Sequence, residues 1–173
     1  NLAYTTRVGE GPFPTELNDE IGEGMRKRGH EFGATTGRPR RCGWLDIPVL
    51  RYSHLINDYS SINLTKLDIL SELDEIKIGV EYRINGKAIN YMPGTIDELS
   101  KVEVIYETMK GKKSSQITLS LKIKQLEGDI SHITDFNKLP KEAQAYIRRI
   151  EEHLGIPVSW IGVGPEREAT IKV

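Results

Sequence analysis

The chain has 173 residues, with 24 Lys and Arg against 25 Asp and Glu and a formal net charge of −1. That length suits one domain with a core of its own, and the balanced charge excludes a dominant electrostatic grip on nucleic acid or on an acidic membrane. Cys42 is the single cysteine, which excludes an internal disulfide and suits a reducing compartment, and no apolar run is long enough to cross a bilayer.

The chain begins at Asn1 and runs at once into Ala3-Tyr4-Thr5-Thr6-Arg7-Val8-Gly9. This reads as the interior of a fold, so a fragment is expected and any leader would lie outside the sequence. Residues 2–7 predict a short strand, and Gly9, Gly11, Pro12 and Pro14 a loop. Thr15 is the expected N-cap of a helix with Leu17, Ile21 and Met25 on one face, closed by Gly29. After the loop at residues 33–43, Asp46 is expected to cap a helix that tolerates Pro48 in its first turn and ends near Asn57.

Residues 61–65 read as a strand. Ile76, Ile78, Val80, Tyr82 and Ile84 alternate, which predicts a half-buried strand, and Asn85-Gly86 supplies a two-residue hairpin turn to a return strand over 87–91. Thr95 and Glu98 have capping-box spacing, and Val102, Val104 and Tyr106 suggest a further strand. Residues 110–128 are expected to be a surface insertion: 110–115 are polar and basic, and 117–123 are apolar at alternate positions. Pro140 opens an amphipathic helix with Ala143, Ile147, Ile150 and Leu154 on one stripe, an Arg148–Glu152 pair on the other face, and Gly155 as C-cap. Strands follow over 156–163 and 169–173. The expected class is therefore α/β or α+β.

Two segments carry chemistry. Thr65-Lys66-Leu67-Asp68 follows an apolar strand, where open α/β sheets bind ligands at the carboxyl ends. Guanine presents N–H donors at N1 and N2, and one carboxylate can accept both. Adenine presents an acceptor at N1 and no 2-amino group, so it leaves a buried carboxylate unpaired. Asp68 is thus a candidate base reader, and Lys66 can lay its alkyl stem along base or ribose. Taken alone, the tetrapeptide is more often only a helix-capping turn.

In the second segment, Ala34, Thr35, Thr36 and Gly37 offer small side chains, hydroxyls and consecutive backbone N–H groups to an anion. Arg38 and Arg40 flank Pro39, which favours an extended backbone and similar side-chain directions. A solvated basic turn would explain the charge but not the Thr-Thr-Gly before it. Gly162-Val163-Gly164-Pro165 at a strand end permits close approach of a flat base, or is an ordinary turn. His30, His54, His132 and His153 have no metal-ligand spacing. Neither a Gly-x-x-x-x-Gly-Lys-Ser/Thr loop nor a nucleophile motif is present.

These runs, with Gly11-Pro12-Phe13-Pro14-Thr15-Glu16-Leu17 and residues 160–167, resemble the adenylosuccinate synthetase family over nearly the whole chain, specifically its C-terminal portion. The resemblance implies a C-terminal part of a P-loop-related mixed sheet flanked by helices, with a β-hairpin subdomain, spanning 1–173 as a fragment of one domain. It implies GTP- and Mg²⁺-dependent ligation of IMP and L-aspartate to adenylosuccinate. A carboxylate deprotonates IMP N1, the 6-oxygen attacks the γ-phosphate, and the aspartate amine displaces phosphate.

Residue by residue, Ala34, Thr35, Thr36, Gly37, Arg38, Pro39 and Arg40 would be the aspartate loop. Arg38 and Val8 would meet IMP. Arg40, Lys66, Leu67, Asp68, Gly162, Val163 and Gly164 would meet GTP. Members are usually homodimers, and a cytoplasmic location with no nucleic-acid or membrane partner is expected.

The sequence departs from the family at three places. The phosphate loop, catalytic Asp and catalytic His have no counterpart, so the chain alone is expected to be inactive and Mg²⁺ to be bound elsewhere. Gly162 stands where some members have serine. The 110–127 stretch is longer than the usual link and lacks its Pro-Gly-Trp. The alternative reading is a non-catalytic guanine-nucleotide-binding module.

Overall fold

The computed structural model describes residues 2–110 and 129–173. Elements follow in chain order as β1 (Thr5–Arg7), α1 (Glu20–Arg28), β2 (Arg41–Gly43), β3 (Leu45–Asp46), α2 (Ile47–Asn57) and β4 (Ile62–Leu64). After a 3-10 turn (Leu67–Leu70) come β5 (Glu75–Ile84), β6 (Lys87–Ile89), α3 (Ile96–Leu99) and β7 (Glu103–Lys110). A 3-10 turn (Phe136–Lys138), α4 (Lys141–Leu154), β8 (Val158–Gly162) and β9 (Thr170–Lys172) complete the chain. The class is mixed α/β, as expected. The expected insertion lies, from residue 111 on, outside the described residues, as does the alternating run at 117–123.

The chain forms two compact units, one of residues 4–58 and 77–107, the other of residues 1–3, 59–76 and 108–173. In the first unit β3 and β5 pair in parallel (Leu45 with Ile78), and β5 turns back antiparallel on β6 (Tyr82 with Ile89). β7 also pairs with β5. Asn85 and Gly86 take φ of 52° and 73°, the left-handed pair that a two-residue hairpin requires. Asp46 caps α2, its Oδ1 accepting the Val49 N–H at 3.2 Å. Thr95 caps α3 by accepting the Glu98 N–H at 3.2 Å.

Helix α1 starts later than the sequence suggests. Its N-cap is Asp19, which accepts the Gly22 N–H at 3.0 Å, not Thr15. The reason lies in β2. The Thr15 carbonyl accepts the Trp44 N–H at 3.0 Å, and the Leu17 N–H donates to Cys42 at 2.9 Å. Residues 15–17 are thus held as a strand edge and cannot also coil. Gly43 makes this possible, because an added Cβ would lie 2.2 Å from the Thr15 carbonyl oxygen. Leu17 consequently sits outside the helix, Met25 is buried, and Ile21 is exposed.

In the second unit β4 and β8 run parallel (Leu64 with Ile161), and β9 pairs antiparallel with β8 (Ile161 with Ile171). Helix α4 buries Tyr146, Ile147 and Ile150 and ends at Gly155, left-handed at φ 72°. The Tyr146 hydroxyl donates to the Ala3 carbonyl at 2.6 Å, and the Ala3 N–H donates to the Thr65 carbonyl at 2.8 Å. Burial pushes the Tyr146 hydroxyl well above its ordinary pKa. The exposed face of α4 pairs Arg148 with Glu151 and Arg149 with Glu152, not Arg148 with Glu152. Arg148 also lies over the Phe136 ring, 4.6 Å from its centroid, and from there reaches the residue one turn on at i+3.

Candidate functional site

Two of the predicted segments meet at one sheet edge. Because β4 and β8 are parallel neighbours, their carboxyl ends lie side by side, with 65–68 leaving one and Gly162 ending the other. A Cβ on Gly162 would lie 3.2 Å from Thr65 Cα, so the absence of a side chain sets how closely these ends approach. Lys66 takes φ 62° and ψ 33°, a left-handed conformation costly for a residue with a Cβ. That kink turns the chain into the 3-10 turn carrying Asp68. The Asp68 carbonyl is held by the Ser71 N–H at 3.1 Å and the Ser71 hydroxyl at 2.7 Å.

Asp68 is half-buried, and its Oδ1 is buried without a hydrogen-bond partner. Burial raises its pKa, its own backbone N–H and Lys66 pull the other way, and Asp129 adds to the rise. An acceptor held rigid and short of donors is what a base-reading carboxylate needs before its base arrives. Leu67 and Val163 are core side chains. The Val163 N–H is committed to the Ala169 carbonyl at 2.9 Å, so Leu67 and Val163 anchor this edge to the core. Gly164 approaches Ser131 and Ala169 closely, an added Cβ coming within 2.8 and 3.0 Å of their Cβ atoms.

The arginine loop lies in the other unit and closes on its own backbone. The Gly33 N–H donates to the Arg38 carbonyl, and the Gly37 N–H to the Gly33 carbonyl, both at 2.8 Å. Gly37 makes the turn at φ 66°. Its amide is therefore spent inside the loop and is not one of a run of outward donors, which corrects the expectation. Residues 34–39 are exposed, with the Thr36 hydroxyl accepting the Arg38 N–H at 3.3 Å.

The two arginines also diverge. Arg38 pairs with Glu10 at 3.2 Å on the exposed surface, whereas Arg40 pairs with fully buried Glu31 at 3.0 Å. Phe32 and Pro39 form an antiparallel bridge, and beyond it the chain is drawn inward, so Arg40 no longer shares the direction of Arg38. A third arginine, Arg41, grips both Glu16 carboxylate oxygens at 2.6 Å and the carbonyls of Gly9 and Gly11. It holds the Glu16 carboxyl below the usual range and fixes the loop after β1. Val8, at the end of β1, is exposed. Glu31 and Glu10 were not legible as partners, because each is distant in sequence from its arginine.

Among the described residues no group of three or more His, Cys, Asp or Glu side chains could hold a metal ion. No described helix is long and apolar enough to cross a membrane.

A parallel strand pair with a kinked Lys-x-Asp segment and a glycine turn at its carboxyl edge defines a mixed α/β protein of the kind that binds ligands at strand ends. The chain belongs to the adenylosuccinate synthetase family, whose model matches residues 2–171. It is 63% identical over 169 residues to an adenylosuccinate synthetase of Paramecium tetraurelia, and 51% identical over 170 residues to one of Dictyostelium discoideum. Each match covers 98% of this chain and 36% of the relative. The solved structure of a fully ligated adenylosuccinate synthetase from Plasmodium falciparum superposes with a TM-score of 0.88 at 43% identity, covering 99% of this chain and 38% of that one. The chain thus spans little more than a third of the curated relatives it matches. These shares do not support the C-terminal placement expected from the sequence.

Proposed function

We propose that this chain is part of a GTP-dependent ligase that joins IMP and L-aspartate to form adenylosuccinate, and that it supplies the guanine site and the aspartate loop. The observation that carries the reading is the buried, unpartnered Oδ1 of Asp68 at the carboxyl edge of β4 and β8. In this reading Asp68 accepts the N1 and N2 hydrogens of guanine. Lys66 and the glycines at 162 and 164 bracket the ring, and Leu67 and Val163 hold those residues in place from the core.

Thr35, Thr36, Arg38 and Arg40 grip the aspartate carboxylates, Arg38 and Val8 border IMP, and Arg40 also reaches toward the GTP side. The exposed Arg38–Glu10 pair is weak enough for an incoming carboxylate to replace it. Phosphoryl transfer converts a poor leaving oxygen into a good one, and the loop's task is to hold the aspartate amine in line for the displacement. Mg²⁺ would assist the phosphates through residues outside this chain. Homodimer formation and a cytoplasmic location belong to the same reading.

The test is a coupled assay of the full-length protein with IMP, L-aspartate and either GTP or ATP. Adenylosuccinate formed with GTP and not with ATP is the expected result. GTP binding without product would favour the non-catalytic guanine-nucleotide module, and product with ATP alone would remove the guanine site.

A further inference from the structure

Three polar or charged residues are fully buried among the described residues: Thr15, Glu31 and Asp46. Of these, Glu31 is the one that holds a side chain of the aspartate loop. Its Oε2 accepts Arg40 Nη1 at 3.0 Å, and its Oε1 accepts the Tyr4 hydroxyl at 2.8 Å. Its backbone carbonyl accepts the Arg40 N–H at 2.9 Å. Arg26 completes the frame, its Nε donating to the Arg40 carbonyl at 2.8 Å, while its own carbonyl accepts the Glu31 N–H at 2.9 Å. Gly29 leaves room for the arrangement, because an added Cβ there would lie 2.2 Å from the Tyr4 hydroxyl and 3.3 Å from Glu31 Cγ.

We infer that Glu31 is a positioning residue, which touches no ligand but fixes the Arg40 guanidinium in one orientation before aspartate arrives. An arginine side chain has about 2 kcal/mol of rotamer entropy to lose on being fixed. Here the backbone N–H, the backbone carbonyl and one guanidinium nitrogen of Arg40 are already committed. The Arg40 side chain stays 36% exposed while its Nη1 is held by Glu31, so the outer part of the fork keeps a donor for an incoming anion. A buried carboxylate is costly unless paired and hydrogen-bonded, which holds the pair closed. Arg38 is the contrast. Its pair with Glu10 leaves the two side chains 65% and 93% exposed, a contact too solvated to preset a geometry. The loop therefore has one preset arm and one free to exchange partners. This inference rests on the proposed role of Arg40 at aspartate.

The experiment uses the full-length protein with Glu31→Gln, Arg40→Lys and the double substitution, measuring KM for aspartate and for IMP together with thermal stability. Glu31→Gln should raise the aspartate KM about tenfold with the IMP KM and the melting temperature nearly unchanged. The double variant should be no worse than Arg40→Lys alone, since both remove one unit of interaction. Effects that add in full, or aspartate and IMP constants that move equally, would overturn the inference. If Glu31→Gln does not fold, Tyr4→Phe decides. It should raise the aspartate KM about threefold by freeing the Glu31 carboxylate, and no change would overturn the positioning role. If Arg40→Lys itself leaves the aspartate KM unchanged, the aspartate-loop reading fails and takes this inference with it. A normal Glu31→Gln beside a defective Arg40→Lys removes the inference alone.

Discussion

At the scale of single residues, two carboxylates show how burial sets different tasks. Asp68 keeps one oxygen without a donor, whereas buried Asp46 has both engaged, Oδ1 by the Val49 N–H and Oδ2 by the Tyr82 hydroxyl at 2.6 Å. Asp68→Asn in the full-length protein should raise the GTP KM by roughly 10- to 100-fold, the effect of turning one acceptor into a donor against guanine. The same change should admit xanthosine triphosphate, whose 2-oxygen accepts where guanine donates. Unchanged GTP kinetics would take Asp68 out of the site.

Burial pushes the Asp46 carboxyl up to about 6 from 3.8, against the opposing pull of the Tyr82 hydroxyl and the Val49 N–H. The folded state thus holds this proton more tightly than the unfolded chain. The stabilising contribution is fully present below the unfolded value and is lost as pH rises through about 6. Asp46→Asn cannot titrate, so wild type should lose about 3 kcal/mol relative to this variant between acidic and neutral pH, at ~1.4 kcal/mol per pKa unit. Denaturant titrations of both proteins at either end of that range check the difference. A gap that stays constant with pH would mean that Asp46 binds its proton equally well in the folded and unfolded states.

At the scale of elements, caps and turns were legible because they depend on neighbours in sequence. Asp46, Thr95 and Gly155 act where the spacing placed them. The start of α1 was not legible, because Thr15 is claimed by β2, whose residues lie far along the chain. The same logic ranks two glycines. Gly155→Ala forces a side chain into a left-handed cap with open space around it, and should cost about 1 kcal/mol. Gly43→Ala drives a methyl group into the Thr15 carbonyl, and should cost more, on the order of 3 kcal/mol. Denaturant midpoints of the two variants give the order. Equal losses would mean that the segment at 15–17 yields freely.

At the scale of the whole molecule, membership of the family and partial coverage of its members have opposite consequences. The edge proposed to read guanine and the arginine loop proposed to hold aspartate both lie in this chain, which spans 36% of each relative it matches. The 173-residue chain alone should therefore give no GTP-dependent adenylosuccinate in a coupled assay, while the full-length protein does. Product from the isolated chain would show that it holds a phosphate-transfer site of its own. Buried Cys42 is shielded by the core, so thiol reagents should modify the folded protein slowly.

The sequence by itself determined the mixed α/β class, the hairpin at Asn85-Gly86 and three of the caps. Each is written in contiguous residues whose chemistry does not depend on what packs against them. Tertiary structure alone decided that Gly162 lies against Thr65, that the Gly37 amide is used inside its own loop, and that Arg38 and Arg40 go to Glu10 and Glu31. Hydrogen bonds and ion pairs choose partners by distance in space. Residues as far apart as Thr65 and Gly162 acquire that distance only when β4 and β8 pair.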